Sequence, residues 1–400
     1  MKILFMISTL TNGGAERAMS NITTHLPDGV EADILLNSVS EHDYPTKANI
    51  INLGMAPQIK KGLLYQFQAS IKRMRVLRKL KRSNHYDACV SFMDSANVCN
   101  ILTGNKYCKT IVSVRISVAN DHTFKYRYIV SPLIKLLYNR ADWVVPVSKG
   151  LQKELEEIYG IQKKRICTIT NGFDAEQINR QALEVTQHNV EIPKGKYIYI
   201  TTGRYTQQKA QWHLIRAFSQ VAEKCENAML LILGQGEEEE YLKKIIENYK
   251  MEKKILLIPF CTNPFPYLKC SKVFIMPSMY EGYCNALCEA LICGLPCIAT
   301  DFKTSAREIL APDTAITYQN KDHIEYAKYG ILTPVCSGTK YMGKEKLEQG
   351  EEYLAQAMIK LYNDKELYDR YKVSAGERGN QMNIDMKVQE WISLINENMG

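Results

Sequence analysis

Two carboxylates eight positions apart, Glu281 and Glu289, lie in Pro277-Ser278-Met279-Tyr280-Glu281-Gly282-Tyr283-Cys284-Asn285-Ala286-Leu287-Cys288-Glu289. An apolar run ends at Met276 just before them, and Gly294 and Pro296 follow. This is the pattern of a strand, a loop to Tyr283 and a helix from about Asn285 to Cys293. A helix N-terminus offers unpaired amides and a positive dipole end, so the backbone from Cys284 through Ala286 and Leu287 can receive an anion. Glu289 leans back toward the same place, because helical side chains tilt N-terminally. Singly, Glu281 reads as a solvated loop acid and Glu289 as a surface helix acid; together, in this setting, they mark a site. A second group is Gly203-Arg204-Tyr205-Thr206-Gln207-Gln208-Lys209, directly after the apolar run Tyr197 to Thr202. There Arg204 could fork onto a diphosphate and Lys209 could act as a point charge. Gly234 and Gly236 after Ala228 to Leu233, and Gly13 and Gly14 before the first helix, are glycines of the kind that let a backbone approach a ligand closely.

These loops need strands to hold them. Lys2 to Ser8, Ala32 to Leu36, Ala88 to Phe92, Thr110 to Val114 and Trp143 to Val147 are compact apolar runs separated by helical or loop stretches. Tyr197 to Thr202, Ala228 to Leu233, Ile255 to Pro259, Val273 to Met276 and Cys297 to Thr300 repeat the alternation. Such alternation predicts α/β architecture with two parallel sheets, each covered on both faces. A length of 400 residues agrees with two cores. The expected division is 1–178 for the first Rossmann-like domain, a polar linker over 179–196, a second such domain over 197–380, and a terminal helix over 381–400 packing back on the first. Ligands of open parallel sheets bind beyond the carboxyl ends of the strands, so two facing sheets would make a cleft.

With these motifs assembled, the chain resembles the retaining glycosyltransferases of family 4, of the GT-B fold. The likeness spans nearly the whole chain, includes Gly13-Gly14-Ala15-Glu16-Arg17, and is densest from Tyr197 to Leu310. It implies catalytic roles for Arg204, Lys209 and Glu281. Arg204 and Lys209 would hold the donor diphosphate, Glu289 the ribose, and Glu281 with Gly282, Tyr283, Cys284 and Asn285 the sugar. Ala286 and Leu287 would give amides to phosphate, Ile258 to Phe260 would line the base, and Gly13, Gly14, Gly203, Gly234 and Gly236 would complete the donor site. The donor would be a nucleotide sugar, UDP by preference, carrying a hexose or N-acetylhexosamine; the acceptor would be a polyprenyl-diphosphate-linked saccharide. Attack on the same face as the departing diphosphate needs no protein nucleophile, and the chain contains no Asp-x-Asp motif, so neither a metal nor another cofactor is expected. The chain departs from the pattern in three respects: Ala210 and Cys284 stand where glycine is common, and on the acceptor side the stretch from Val112 to His122, in which Arg115 lies, has no clear counterpart of the histidine that several relatives place beside the reacting sugar carbon.

The net charge of +8 suggests an acidic partner. Residues 60–82 hold nine Lys and Arg and no acid. A helix over 59–82 would gather Leu63, Leu64, Phe67, Ile71, Met74 and Leu77 on one side and Lys61, Lys72, Arg75 and Lys79 on a neighbouring flank. That reads either as an anionic-membrane contact or as a packed helix with a solvated charged face. Nucleic acid is not expected, because no reader motif with interleaved aromatics accompanies the charge. A nicotinamide-dependent oxidoreductase is disfavoured by Thr11-Asn12-Gly13-Gly14, which is not G-x-G-x-x-G. A catalytically inactive nucleotide-sugar-binding relative remains the alternative to an enzyme. MKILFMISTL reads as a first strand rather than a signal sequence, and twelve cysteines as reduced core thiols, which together predict a cytoplasmic protein, peripheral on the inner membrane face. Cys284, Cys288, Cys293 and Cys297 lack the short spacing of a structural zinc knuckle.

Overall fold

A computed structural model describes residues 1–11, 13–55, 63–119, 123–186, 188, 193 and 195–397, with backbone alone for 63–67. The chain divides into two compact units, 1–173 with 383–400, and 174–382. In the first, β1 (Lys2–Met6), β2 (Glu31–Leu36), β3 (Asn49–Asn52), β4 (Ala88–Phe92), β5 (Lys109–Val114) and β6 (Trp143–Pro146) form a parallel sheet in the order β3-β2-β1-β4-β5-β6. Around it run α1 (Gly14–Thr24), α2 (Leu63–Ser83), α3 (Asp94–Leu102), α4 (Ser131–Leu137) and α5 (Lys149–Glu157). Every residue of β4, ACVSF, is buried, as expected of a central parallel strand covered on both faces.

The second unit opens with α6 (Ala175–Gln181) and continues through β7 (Tyr197–Thr202), α7 (Gln211–Lys224), β8 (Ala228–Leu233), α8 (Glu239–Tyr249), β9 (Ile255–Ile258), α9 (Phe265–Cys270), β10 (Val273–Met276), α10 (Asn285–Ile292), β11 (Cys297–Thr300), α11 (Ala306–Leu310), β12 (Glu325–Tyr326), β13 (Ile331–Thr333), α12 (Gln349–Asn363) and α13 (Lys365–Asn380). The sheet order is β12-β13-β11-β10-β7-β8-β9, parallel except for β12 on β13. One core joins one face of β7 and β8, through Tyr199, Ala228, Leu230 and Ile232, to α7, α8 and α12. The last helix, α14 (Ile384–Asn396), belongs to the first unit: Val388, Trp391, Leu394 and Ile395 are buried with Ile3, Phe5, Ile22 and Phe92, and Lys109 Nζ donates to the carbonyl of Ile395 at 2.7 Å. No described helix is long and apolar enough to cross a membrane.

Three details differ from the sequence reading. The strands β3, β12 and β13 have no counterpart in it, because four, two and three residues are too short to show a period. The stretch read as linker, 179–196, begins inside α6, which is capped by Asp174, whose carboxylate accepts from the amide of Gln177 at 2.8 Å; Gln187, Asn189 and most of 190–194 lie outside the described residues. In α2, Ala69 and Leu77 are buried against the sheet, and two of its cations are internal: Arg73 donates to Asn37 Oδ1 at 3.0 Å, and Lys81 to the carbonyls of Asn100 and Gly104 at 3.1 and 2.9 Å. Lys72, Arg75 and Lys79 remain exposed, although Lys72 Nζ also donates to the carbonyl of Leu53 at 2.9 Å. Lys60 and Lys61, and the side chains of Leu63, Leu64 and Phe67, lie outside the described residues. The four neighbouring cysteines are buried thiols around α10 and β11, as the sequence reading has them, with burial pushing the Cys293 thiol up to about 12.

Because Trp391 closes the first core from the far end of the chain, Trp391→Ala should cost about 3–5 kcal/mol. Urea unfolding of the variant checks this, and a loss below about 1 kcal/mol would mean that α14 docks without closing that core.

Candidate functional site

In an open parallel sheet the loops diverge at the point where strand order reverses, and the space between them is where ligands bind. In the second unit that point lies between β7 and β10, which pair through Tyr199 with Val273 and Ile200 with Phe274. The loop after β7 is Gly203 to Lys209, and the loop after β10 is Pro277 to Cys284. Both of the strongest sequence signals therefore leave the sheet side by side.

The two loops are joined by an ion pair. Lys209 Nζ sits 2.6 Å from Glu281 Oε1, with the two side chains 16% and 9% exposed. The same carboxylate accepts from Ser278 Oγ at 2.8 Å on Oε1 and from Gln208 Nε2 at 3.0 Å on Oε2. Thr304 Oγ1 donates to the Glu281 carbonyl, and Gln208 Nε2 also donates to the carbonyl of Tyr280 at 2.8 Å. Glu281 is therefore no solvated loop acid. It is held by donors from both sides of the switch point, while the ammonium, which carries three N–H groups, has Glu281 as its one ion-pair partner among the described residues. Arg204 is exposed on the same loop, fixed by its backbone: its carbonyl accepts from Gln211 Nε2 at 2.9 Å.

The glycines have a specific geometric cause. A Cβ on Gly234 would lie 2.0 Å from the carbonyl oxygen of Gly203, and one on Gly236 would lie 2.3 Å from that of Tyr205. Gly203 itself has φ +151 and lies under the stem of Lys209. The missing side chains first let the 203–206 and 234–238 loops press together, tied by Tyr205 N–H to the Gln235 carbonyl at 2.9 Å and Glu238 N–H to the Tyr205 carbonyl at 3.1 Å. Cys284, in contrast, has φ −81, a conformation open to any residue; burial and the nearby Glu281 charge push its thiol well up, so it is no thiolate nucleophile. Ala210 is the costly departure, with φ +50 and ψ +37 at the start of α7.

Glu289 is 5% exposed on the inner side of α10, not a surface acid. Gly282 is buried and Tyr283, Asn285 and Ala286 are half-buried, while the N-cap residue of α10 contributes no side-chain hydrogen bond to the first turn. At the end of β9 the backbone is already engaged: the Ile258 carbonyl accepts from Gly234 N–H at 2.9 Å, and the Phe260 carbonyl lies 3.1 Å from His188 Nε2. Sequence reasoning missed Ser278, Thr304 and Gln208, which hold Glu281. The only cue was adjacency, Ser278 three positions before the acid and Gln208 beside Lys209.

It also missed a strap, 336–348, that lies behind these loops. Gly338 at φ +80 faces the thioether of Met279, leaving no room for a Cβ, and its N–H donates to His213 Nε2 at 3.1 Å. His213 Nδ1 lies 2.7 Å from Glu351 Oε1, which also accepts from Arg216 Nε at 2.8 Å, all three wholly buried. Lys340 meets both oxygens of Glu238 at 2.6 Å. His213, Cys336 and Glu348 come close enough to suggest a metal cluster. However, Glu348 already accepts from Ser337 N–H, Ser337 Oγ and Tyr341 Oη, and His213 Nε2 from Gly338, so the group reads as a brace.

In the first unit the switch point lies between β1 and β4. Gly13 caps α1 with φ −143, and Glu16 folds back so closely that a Cβ on Gly13 would meet its carboxylate; Gly14 is exposed. Arg115, just past β5, lies with its guanidinium 3.8 Å from the centre of the Phe92 ring and donates from Nη1 to Asn171 Oδ1 at 2.8 Å.

Residues 12–177 match the model of Glycosyltransferase Family 4, and residues 184–331 that of Glycosyl transferases group 1. An uncharacterized glycosyltransferase of Methanocaldococcus jannaschii is 32% identical over 350 residues, 84% of this chain and 85% of its own. The chain belongs to glycosyltransferase family 4. This glycosyltransferase is also 29% identical over 322 residues, 78% of its chain and 84% of the other, to N-acetylgalactosamine-N,N'-diacetylbacillosaminyl-diphospho-undecaprenol 4-alpha-N-acetylgalactosaminyltransferase of Campylobacter jejuni. Its fold is that of HepE of Anabaena, solved in complex with UDP, at a TM-score of 0.71 and 17% identity over 98% and 99% of the two chains. The architecture is GT-B.

Left-handed backbone costs a non-glycine residue about 1–2 kcal/mol, and glycine returns about 0.5–1 kcal/mol of that as chain entropy. Ala210→Gly should thus stabilise the glycosyltransferase by up to about 1 kcal/mol in urea unfolding. A destabilised variant would show that the Ala210 methyl, fully buried, contributes more to packing than its backbone costs.

Proposed function

We propose that this glycosyltransferase transfers a hexose or N-acetylhexosamine from a nucleotide diphosphate sugar, UDP-linked by preference, to a polyprenyl-diphosphate-linked saccharide, with retention and without a metal ion. The observation that carries the reading is the Lys209–Glu281 pair at the β7/β10 switch point, with Arg204 exposed beside it. Transfer builds negative charge on the departing diphosphate, and cations fixed before the reaction stabilise that charge without reorganising. Lys209 is fixed by Glu281, and two of its N–H directions are left for phosphate oxygens. Arg204 supplies a forked donor set. Glu281 presents the sugar with an oriented carboxylate, and Glu289 and the first amides of α10 hold ribose and phosphate. The departing phosphate takes the acceptor proton, so no protein nucleophile takes part. The UDP held by HepE and the diphospho-undecaprenol named for the Campylobacter jejuni relative support the choice of donor and acceptor.

A screen of nucleotide sugars by thermal shift identifies the donor, since a ligand at 100 times its Kd adds about 2.7 kcal/mol of stability. With that donor, Lys209→Ala and Arg204→Ala should each lower kcat/KM by about 100-fold or more, chelators should leave the rate unchanged, and the product should keep the donor's anomeric configuration. Full activity in Lys209→Ala would remove the reading.

We further propose that the first unit meets an anionic membrane. Lys72, Arg75 and Lys79 are exposed on α2, and on 124–136 Phe124, Tyr128, Ile129 and Leu136 are exposed among Lys125, Arg127 and Lys135. Basic groups around exposed apolar side chains suit a bilayer interface. In flotation with vesicles rich in anionic lipid, an Arg75→Glu, Lys79→Glu variant and a Phe124→Ser, Leu136→Ser variant should each bind less than the unaltered protein. Equal partition of all three would exclude both surfaces.

A further inference from the structure

Arg115 lies in the first unit, just past the end of β5. Its guanidinium is stacked on Phe92, whose ring in turn lies 5.9 Å from Trp391, and its Nη1 is pinned by Asn171 at 2.8 Å. Nε and Nη2 are both shielded from water and have no hydrogen-bond partner among the described residues. These two nitrogens form the edge of the guanidinium whose N–H bonds run parallel, the edge that matches two oxygens of one oxyanion. A buried donor left unpaired is costly, and here two lie side by side on a group that stacking and the hydrogen bond from Nη1 hold still.

The neighbouring groups are already committed elsewhere. The loop that follows Arg115 satisfies its own donors on Glu154, which accepts from Ser117 Oγ at 2.6 Å and from the amides of Val118 and Ala119 at 3.0 Å each. Glu16, whose charge acts on Arg115, folds back over Gly13 instead of pairing with the guanidinium edge. Burial pulls the guanidinium down to about 9, so it is still a cation at neutral pH. Arg115 leaves β5, the strand next to β4, and so stands beside the reversal of strand order where an α/β sheet receives ligands.

We propose that the Nε–Nη2 edge of Arg115 receives a phosphoryl group of the acceptor, making it an acceptor-binding residue of the first unit. This rests on the lipid-diphosphate acceptor proposed above. It assigns recognition of that acceptor to a group that reads two oxygens at once, and so favours a phosphorylated acceptor over a neutral saccharide.

The test is calorimetric titration of the full chain, saturated with UDP, with farnesyl diphosphate below its micelle concentration, and with farnesol. The diphosphate should bind and farnesol should not. Arg115→Gln and Arg115→Lys, the second keeping the charge but losing the paired edge, should both weaken diphosphate binding at least about tenfold. Both variants should keep the unaltered affinity for UDP, which also shows that they fold. Glu16→Gln, removing a competing negative charge, should tighten it. The proposal is overturned if Arg115→Lys binds the diphosphate as well as the unaltered protein, if UDP displaces the diphosphate, or if Glu16→Gln weakens binding as much as Arg115→Gln does. Failure of UDP to bind the unaltered protein would sink the donor assignment instead, and the diphosphate titration without UDP would still decide the role of Arg115.

Discussion

The second unit is organised around a pair of opposite charges removed from water between two loops. An isolated ammonium or carboxylate as buried as Lys209 and Glu281 would carry a desolvation penalty of several kcal/mol, so each can occupy its position only because the other does. The pair can form only if β7 and β10 are neighbours, since each loop supplies one partner, and it is aligned by backbone as well: the Met279 amide donates to the Gln208 carbonyl at 2.9 Å. The glycines follow from the same demand. If Gly234 carried a side chain, the Gly203 carbonyl would have to move, and with it the backbone beneath the lysine stem.

A buried ion pair is a weak stabiliser but a strong constraint on geometry, which raises the question of what keeps its two loops from drifting apart. The strap over 336–348 supplies an answer. It touches the β10 loop through Gly338 and Met279, the start of α7 through His213 and the carbonyl of Thr339, which accepts from Trp212 Nε1 at 3.0 Å, and the 234–238 loop through Lys340 and Glu238. It is fastened by Arg216, which reaches Glu351 and the carbonyls of Gly343, Glu345 and Lys346 at 2.8 to 3.3 Å. One wholly buried guanidinium thus ties the strap to α7, and α7 begins one residue after Ala210, next to Lys209.

How much of this could be read beforehand depended on whether the cause was local. The central strands were legible because burial on both faces makes an unbroken apolar run, as in AMLLIL of β8. Lys209, Glu281 and the glycine positions were legible because charge and missing side chains beside such runs are informative in themselves. The edge strand β3, NIIN with mostly exposed residues, was not, because nothing in four residues distinguishes a strand paired on one side from a loop. Nor was the strap: the acid that fastens it, Glu351, lies 138 positions from His213, and only the folded chain brings them together. The unpaired edge of Arg115 was invisible for a related reason. Its meaning comes from Phe92 and Asn171, which no spacing rule connects to it.

The basic run in α2 shows why charge counted along a sequence overstates charge on a surface. Arg73 and Lys81 lie eight positions apart on the same inward side as Leu77, and each is surrounded by oxygen acceptors from β2, α3, β5 or their loops. Their stems extend the apolar face while their heads satisfy carbonyl, amide and hydroxyl oxygens that the sheet cannot reach. Part of the positive character of the helix is therefore internal polar packing. What faces outward is the flank of Lys72, Arg75 and Lys79, of which Lys72 is partly spent on the Leu53 carbonyl. Any electrostatic attraction of α2 to an anionic surface must come from the exposed remainder, and salt would screen it as it screens any exposed charge.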